Sequence, residues 1–391
     1  MIIASPTPQN ERAVIVDIVR GFALVGVLIA NFTGYNHENT PPGVFNAISS
    51  TVDKSLVTFN AVFLEWKFMT IFSILFGYGF GLIISSVEKK GIDPTPFFIR
   101  RMFWLFIIGA IHTLFWWGDV LHFYAISGVL LLAFRKFSAK IILILSLVCM
   151  LVIPPLVSFV FRFQPEFFTD QNVQLLYEQY KGENVLDLFK ANMIIYYKAF
   201  IVTGGDIHDI IETLGRFLFG YFLLRVGLFE SIETKKRLFK KTLFITAPVM
   251  IAYFVIRLQS LNGDLNTDEA YWEPVLKTGI LFTACFYSSC IVLLFTRSGE
   301  TIFSAALQAL GKMTLTNYLL VSAVMTIVFS GIGFALLGVL TMRIIWMIAF
   351  VWLMIEITFS IYWLNKYRFG PVEWIWRQLT YRKRIELRKQ V

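Results

Sequence analysis

Charge is scarce in this chain. Asp, Glu, Lys and Arg make up 16% of the 391 residues and hydrophobic residues 57%, against about 25% and 45–50% in a soluble globular domain. A water-soluble fold is therefore excluded for the body of the molecule. Common catalytic fingerprints are missing too. There is no P-loop, no G-x-S-x-G elbow, no H-E-x-x-H pair and no dinucleotide-binding glycine pattern, so the chemistries those motifs carry are set aside. The run Gly77-Tyr-Gly79-Phe-Gly81 is glycine-rich but lies inside an apolar stretch, where it serves close packing. Cysteine is rare: Cys149, Cys285 and Cys290 all sit in apolar segments at spacings that fit no metal site. No disulfide framework or metal centre is expected, only unpaired thiols. No internal repeat marks an inverted-repeat transporter.

What the chain has instead is long apolar runs, with 40 Phe and 10 Trp. They fall into stretches of roughly 17–25 residues, the length a helix needs to cross a ~30 Å hydrocarbon core. Segments near 14–33, 68–87, 102–117, 119–134, 141–161, 210–229, 242–258, 276–295, 313–330 and 343–364 read as membrane spans. Backbone polar groups must be satisfied inside lipid, so each is a helix. The third and fourth are joined only around Gly118 and read as a tight hairpin. The expected fold is an all-α polytopic transmembrane bundle of about ten spans, residues 1–391 forming one domain. A long outer connection with an amphipathic helix occupies 162–209, and a basic tail 365–391. The first segment carries Asp17 and Arg20 within it, which argues against a cleaved signal peptide.

Basic residues orient the bundle. With both termini in the cytoplasm, 23 of the 35 Lys and Arg fall on inner segments and eight on outer ones, as the positive-inside rule requires. The net charge of +9 then belongs to loops facing anionic lipid and not to a nucleic-acid surface. Two outer connections, 34–67 and 162–209, exceed the length of simple links. Each is read either as functional or as a surface helix that seals the bundle.

Ionisable groups inside a bilayer cost at least ~2.5–3.5 kcal/mol each, so each needs a reason. Asp17 and Arg20 share a helix face, either as an internal salt bridge or with Arg20 at the inner mouth of a cavity. Gly21 and Gly26 permit close helix approach. Asn31 lies eleven residues beyond Arg20, about 16 Å by helical rise, so a ligand bridging both is long and thin. His112 and Asp119 flank the hairpin turn. A histidine beside a carboxylate at the membrane boundary can act as an oriented general base; interfacial anchoring is the simpler alternative. His122 ranks lower, and His37 and His208 read as solvated loop residues, either of which could join a site at the outer face. Glu212 and Arg216 form a plausible i,i+4 pair, and Arg225 can snorkel inward. Asn317 and Glu356 read as interhelical hydrogen-bonding groups.

Several of these segments resemble one family. Arg12, Asp17-Ile-Val-Arg20-Gly21, Gly26 and Asn31 resemble the opening motif of the YeiB-like bacterial membrane proteins, a domain of unknown function. Phe68 with Phe72-Ser-Ile-Leu-Phe-Gly77 matches the second-span motif. Arg100-Arg101, Gly109, His112, Gly118-Asp119 and Tyr124 match the third. Gly311-Lys-Met-Thr-Leu-Thr316-Asn317-Tyr318 and Gly370-Pro371-Val-Glu373-Trp374 match the C-terminal half. The first motif is also similar to that of the transmembrane acyltransferases, including heparan-alpha-glucosaminide N-acetyltransferase and the acyltransferase-3 enzymes. Those enzymes move an acyl group from cytoplasmic acyl-CoA to an acceptor at the outer face. The resemblance implies a bacterial plasma-membrane protein with acyl-CoA as co-substrate. Arg20, Arg100 and Arg101 would meet the CoA phosphates, and Asn31 would lie by the acyl group. The acceptor would be a small molecule or an envelope component. The catalytic histidine of the animal enzyme follows its Asn in the next loop. His37 is nearest by order but differs in spacing, so His112 with Asp119 is the first choice. Two alternatives stand beside this reading: a small-solute transporter, and a membrane protein without chemistry. A homo-oligomer is left open.

Overall fold

A computed structural model describes residues 11–38, 50–161, 170–202, 204–230, 232–263, 269–298 and 301–389. The side chains of Arg12 and His37, and the Pro41-Pro42-Gly43 turn, lie outside the described residues. Among the described residues sixteen α-helices follow one another: α1 (Glu11–Glu38), α2 (Thr51–Phe59), α3 (Lys67–Glu88), α4 (Thr95–Thr113), α5 (Leu121–Leu131), α6 (Ala139–Leu151), α7 (Ile153–Phe161), α8 (Asp170–Lys181), α9 (Val185–Tyr196), α10 (Gly205–Arg225), α11 (Ile232–Leu261), α12 (Glu269–Ser298), α13 (Ile302–Lys312), α14 (Thr314–Phe329), α15 (Met342–Lys366) and α16 (Pro371–Tyr381). Among the described residues there is no β-strand, only an isolated bridge between Tyr367 and Arg388.

Among the described residues six stretches are long and apolar enough to cross a bilayer: Val14–Tyr35, Thr51–Glu88, Ala139–Phe161, Ile232–Leu261, Trp272–Thr296 and Met342–Lys366. The pair α13–α14 makes a seventh if it counts as one span. The other expected spans fall on α4, α10 and α5, the last extended by a 3-10 turn to Phe134. Many apolar side chains point outward. In Ile232–Leu261 only 11% of the apolar window is buried, and Phe244 on it is 81% exposed. An apolar helix exposed all round fits lipid and not water, so the protein is an all-helical, multi-pass membrane protein.

Local chemistry sets the helix starts. Ser50, Ser138 and Asn184 cap α2, α6 and α9 through their side chains, and Thr301 with Ser304 makes a capping box on α13. Packing in the interior relies on small residues. A Cβ on Gly21 would overlap the Leu307 carbonyl, and one on Gly311 would overlap that of Asp17, so α1 and α13 cross backbone to backbone. Gly77 and Gly220 do the same for α3 and α10, which is the packing role expected of the glycine run.

Two features differ from expectation. No broken helix is evident in the sequence, yet α13 and α14 meet at an angle of 83°. Glu373 of α16 accounts for the break. Its carboxylate accepts the backbone N–H groups of Leu315 and Thr316 and the Thr316 hydroxyl, so a fresh helix N-terminus is stabilised there. Glu356 accepts from Trp352 Nε1 of its own helix at 2.8 Å, where an interhelical partner was expected; Asn317 does bond across helices, to Ser360 at 3.0 Å. If the α1–α13 crossing is as tight as described, Gly21→Val forces the backbones apart and costs about 1–3 kcal/mol. Thermal denaturation in detergent should show a lowered midpoint, and an unchanged one would contradict this packing.

Candidate functional site

The hairpin α4–α5 turns through residues 114–120, and Asp119 stands just ahead of α5. Its position suits a helix-capping carboxylate, and its Oδ2 does accept the His122 backbone N–H at 3.1 Å. The same carboxylate holds two imidazoles. His112 Nδ1, at the end of α4, lies 2.7 Å from Oδ1, and His122 Nδ1, in the first turn of α5, lies 2.7 Å from Oδ2. All three side chains are buried, Asp119 at 1% exposure and each histidine at 4%. A carboxylate only accepts, so each Nδ1 donates, and in a neutral ring the Nε2 then presents a lone pair. Neither Nε2 has a hydrogen-bond partner. Two buried, oriented and unused bases therefore flank one acid.

The two rings face different neighbours. His112 packs on the Tyr318 ring at 5.1 Å and edges Trp116 at 6.4 Å. His122 packs on Tyr196, whose hydroxyl donates to Asp206. Gly109 makes the arrangement fit. A Cβ there would stand 2.8 Å from Asp119 Oδ2 and 2.7 Å from the His122 nitrogen.

The connection that carries α8 and α9 closes over this turn. Within it, one amphipathic run resolves into α8 and α9, which break at Gly182. Asn192 of α9 is fully buried and uses its whole amide. It accepts from Trp117 N–H and the Tyr180 hydroxyl, and donates to the Leu114 and Leu188 carbonyls. Asn192 was not singled out from the sequence, and His122 was ranked below His112. For His122 a signal existed: its three-residue spacing from an acid at a helix start.

The remaining expected residues occupy two regions. Asn31 is half-buried on α1, one turn before Tyr35. Tyr35 reaches Trp116 at 6.1 Å between ring centres, and Trp116 in turn reaches His112, so rings connect Asn31's face of α1 to the histidine. Arg20 pairs with Asp17 at 3.1 Å, as one reading of the sequence had it. Yet Arg20 Nε is buried without an acceptor, and an Arg20 Nη2 lies beside Gly79. Arg100 and Arg101 sit near the start of α4 and contact α16. Arg100 Nε donates to the Thr380 carbonyl, and Arg101 stacks on the Trp376 ring at 3.6 Å. Arg101 and His112 are eleven residues apart on α4, the same spacing as Arg20 and Asn31 on α1. Each helix thus carries an arginine about 16 Å from a second polar residue, Asn31 on α1 and His112 on α4.

A second buried charge cluster joins α10 to α12. Glu212 pairs with Arg216, as its spacing suggested, and also with Lys277 of α12 at 2.5 Å. His208 belongs to it, against the expectation of a solvated loop residue. Its Nδ1 meets Asp209 and its Nε2 meets Glu273, both at 2.8 Å. His208, Asp209 and Glu212 lie close enough to hold a metal ion, but Lys277 and Arg216 already supply the cations that the acids need. Burial pushes the His208 pKa down, but its bonds to Asp209 and Glu273 outweigh this and lift it from 6.5 to about 9.

The fold and site define a multi-pass helical membrane protein with a buried imidazole–carboxylate–imidazole centre. Residues 223–383 match the family described as "Protein of unknown function (DUF418)". Across 401 aligned residues, 96% of both chains, this chain is 29% identical to "Uncharacterized protein YxaH" of Bacillus subtilis. It is also 29% identical to "Uncharacterized 39.9 kDa protein in amylase 3'region" of Bacillus acidopullulyticus, over 98% of this chain and 97% of that one. Identity to "Uncharacterized protein YeiB" of Escherichia coli is 26%, over 95% and 97%. No solved structure matches. The resemblance to YeiB-like proteins read from the motifs thus extends along nearly the whole chain, while the match to the DUF418 family covers residues 223–383.

Two outcomes follow from this geometry. A His208 pKa raised by folding means that its stabilisation is complete below about pH 6.5 and is lost as pH rises through about 9. His208→Gln should melt lower than wild type at pH 6, by the equivalent of about 1.5–3 kcal/mol, with the gap closing by pH 10. A pH-independent gap would contradict the cluster. Gly109→Ala should displace Asp119 and lower thermal stability, whereas an unaltered melt would show that the hairpin has room for a methyl group.

Proposed function

We propose that this protein is a transmembrane acyltransferase of the bacterial plasma membrane. It takes an acyl group from cytoplasmic acyl-CoA and delivers it to an acceptor at the outer face. In this reading the chain crosses the bilayer about ten times with both termini inside, the short helices α4, α5, α10 and α14 completing the spans. The count of basic residues supports that orientation.

The observation that carries the proposal is the pair of buried Nε2 atoms held by Asp119 without partners. An unused buried base is costly unless a ligand completes it. His112 Nε2 takes the proton of an acceptor hydroxyl or amine. The freed oxygen or nitrogen attacks the thioester carbonyl, the C–S bond breaks, and the imidazolium returns its proton to the departing thiolate. Asp119 keeps the ring oriented and stabilises the imidazolium. The Asn31 amide donates to the oxyanion. Arg20, Arg100 and Arg101 hold the phosphates at the opposite side, and the ~16 Å between the two regions suits an extended pantetheine arm.

The break between α13 and α14 invites a transport reading, since half-helix N-termini bind substrates in transporters. Here that N-terminus is already occupied by Glu373, which favours chemistry over transport. The test is CoA release from an acyl-CoA by purified protein. His112→Ala should lower the rate about 10²–10⁴-fold with the protein still folded. Equal rates in the variant, or no acyl-CoA binding by wild type, would contradict the proposal.

A further inference from the structure

Arginines at the junction of α4 and α16 lack what arginines in a low-dielectric setting need. Arg101 is 7% exposed. Its guanidinium lies flat on Trp376, and its Nε has no acceptor. Trp376 is itself fixed, donating its Nε1–H to the Arg101 carbonyl at 2.9 Å. The next residue on α16, Arg377, stacks on Phe369 at 4.5 Å and lies near enough that its charge opposes that of Arg101. Among the described residues neither guanidinium has a carboxylate within 4.0 Å. The nearest acid on α16, Glu373, is one turn before Arg377, but it is spent on the α14 N-terminus.

Two like charges held together, one of them buried and without a counterion, are costly in an empty protein. They are well placed for a phosphate. Stacking on an aromatic ring fixes the guanidinium plane and leaves its N–H edge to donate, the geometry in which arginine binds phosphate in a bidentate manner. We infer that Arg101 and Arg377 form a phosphate-binding site between α4 and α16, for the phosphate of an amphiphilic ligand. This adds Arg377 and the terminal helix to the proposed machinery. The acyl-CoA reading supplies one source of that phosphate, and an anionic lipid headgroup is the other. The inference rests on the acyl-CoA reading only for the choice between them.

The experiment is binding by full-length protein in detergent and in nanodiscs. In the first arm, CoA and pantetheine, which shares the thiol arm but has no phosphate, are titrated by calorimetry. In the second arm, retention of phosphatidylglycerol against phosphatidylcholine is read by native mass spectrometry. Arg377→Gln should weaken the phosphate-bearing ligand about tenfold or more. The exposed Lys240→Gln on α11 should leave binding unchanged. Arg377→Lys, which keeps the charge but loses the fork, should fall between. Wild type needs no variant for a parallel check: its melting midpoint should rise with CoA and not with pantetheine, or with phosphatidylglycerol and not with phosphatidylcholine.

Loss of CoA affinity in Arg377→Gln supports both the site and the acyl-CoA reading. Loss of phosphatidylglycerol alone, with no CoA binding by wild type, supports the site and removes the acyl-CoA reading. Unchanged binding of both ligand classes in folded Arg377→Gln and Arg101→Gln overturns the site. If CoA still binds in that case, the acyl-CoA reading survives it.

Discussion

The Asp119 carboxylate, buried in the α4–α5 turn, accepts from two imidazoles and from the first turn of α5. Much of that end of the bundle follows from that contact. The hairpin must close tightly enough for both rings to reach one carboxylate, and Gly109 permits it. Water must be kept from the turn, and α9 does so by spending every polar atom of Asn192 on it. Both rings must show the same edge inward, because a shared acceptor fixes Nδ1 as the donor on each.

Elsewhere the interior settles its charges locally. Glu212 is matched by Arg216 and Lys277, and buried Asp53 is matched by Arg343. Glu373 spends its carboxylate on a helix end. Among the buried groups without a partner are the two Nε2 atoms at one end, and the Nε atoms of Arg20 and Arg101 on the same helices that carry Asn31 and His112; Glu356 Oε2 is another, away from both. In a solvent where an unpaired polar group costs more than in water, unmatched groups mark where a ligand is expected. Their separation along α1 and α4 sets its length.

The sequence made legible whatever local spacing or an apolar run encodes. Asp17–Arg20 and Glu212–Arg216 are helix neighbours, and both pairs form. Gly21 and Gly77 mark crossings where backbones touch. His112 and Asp119 flank a short turn and so had to be near each other. What stayed hidden depends on partners far along the chain. Lys277 reaches Glu212 across 65 residues, Asn192 reaches Leu114 across 78, and Glu373 breaks a helix 57 residues before it. Such contacts leave no periodic trace. His122 was underrated for another reason: its role depends on α5 starting just after Asp119, so that a three-residue spacing brings ring and carboxylate together.

The shared carboxylate is best tested by its effect on the rings. Nitrogen-15 spectra of histidine-labelled protein, which has four histidines, report which imidazole nitrogen carries the proton. The account predicts two neutral imidazoles protonated at Nδ1 with a lone pair at Nε2, and loss of both signatures in Asp119→Asn. Protonation at Nε2 on both rings, or spectra unmoved by Asp119→Asn, would contradict it.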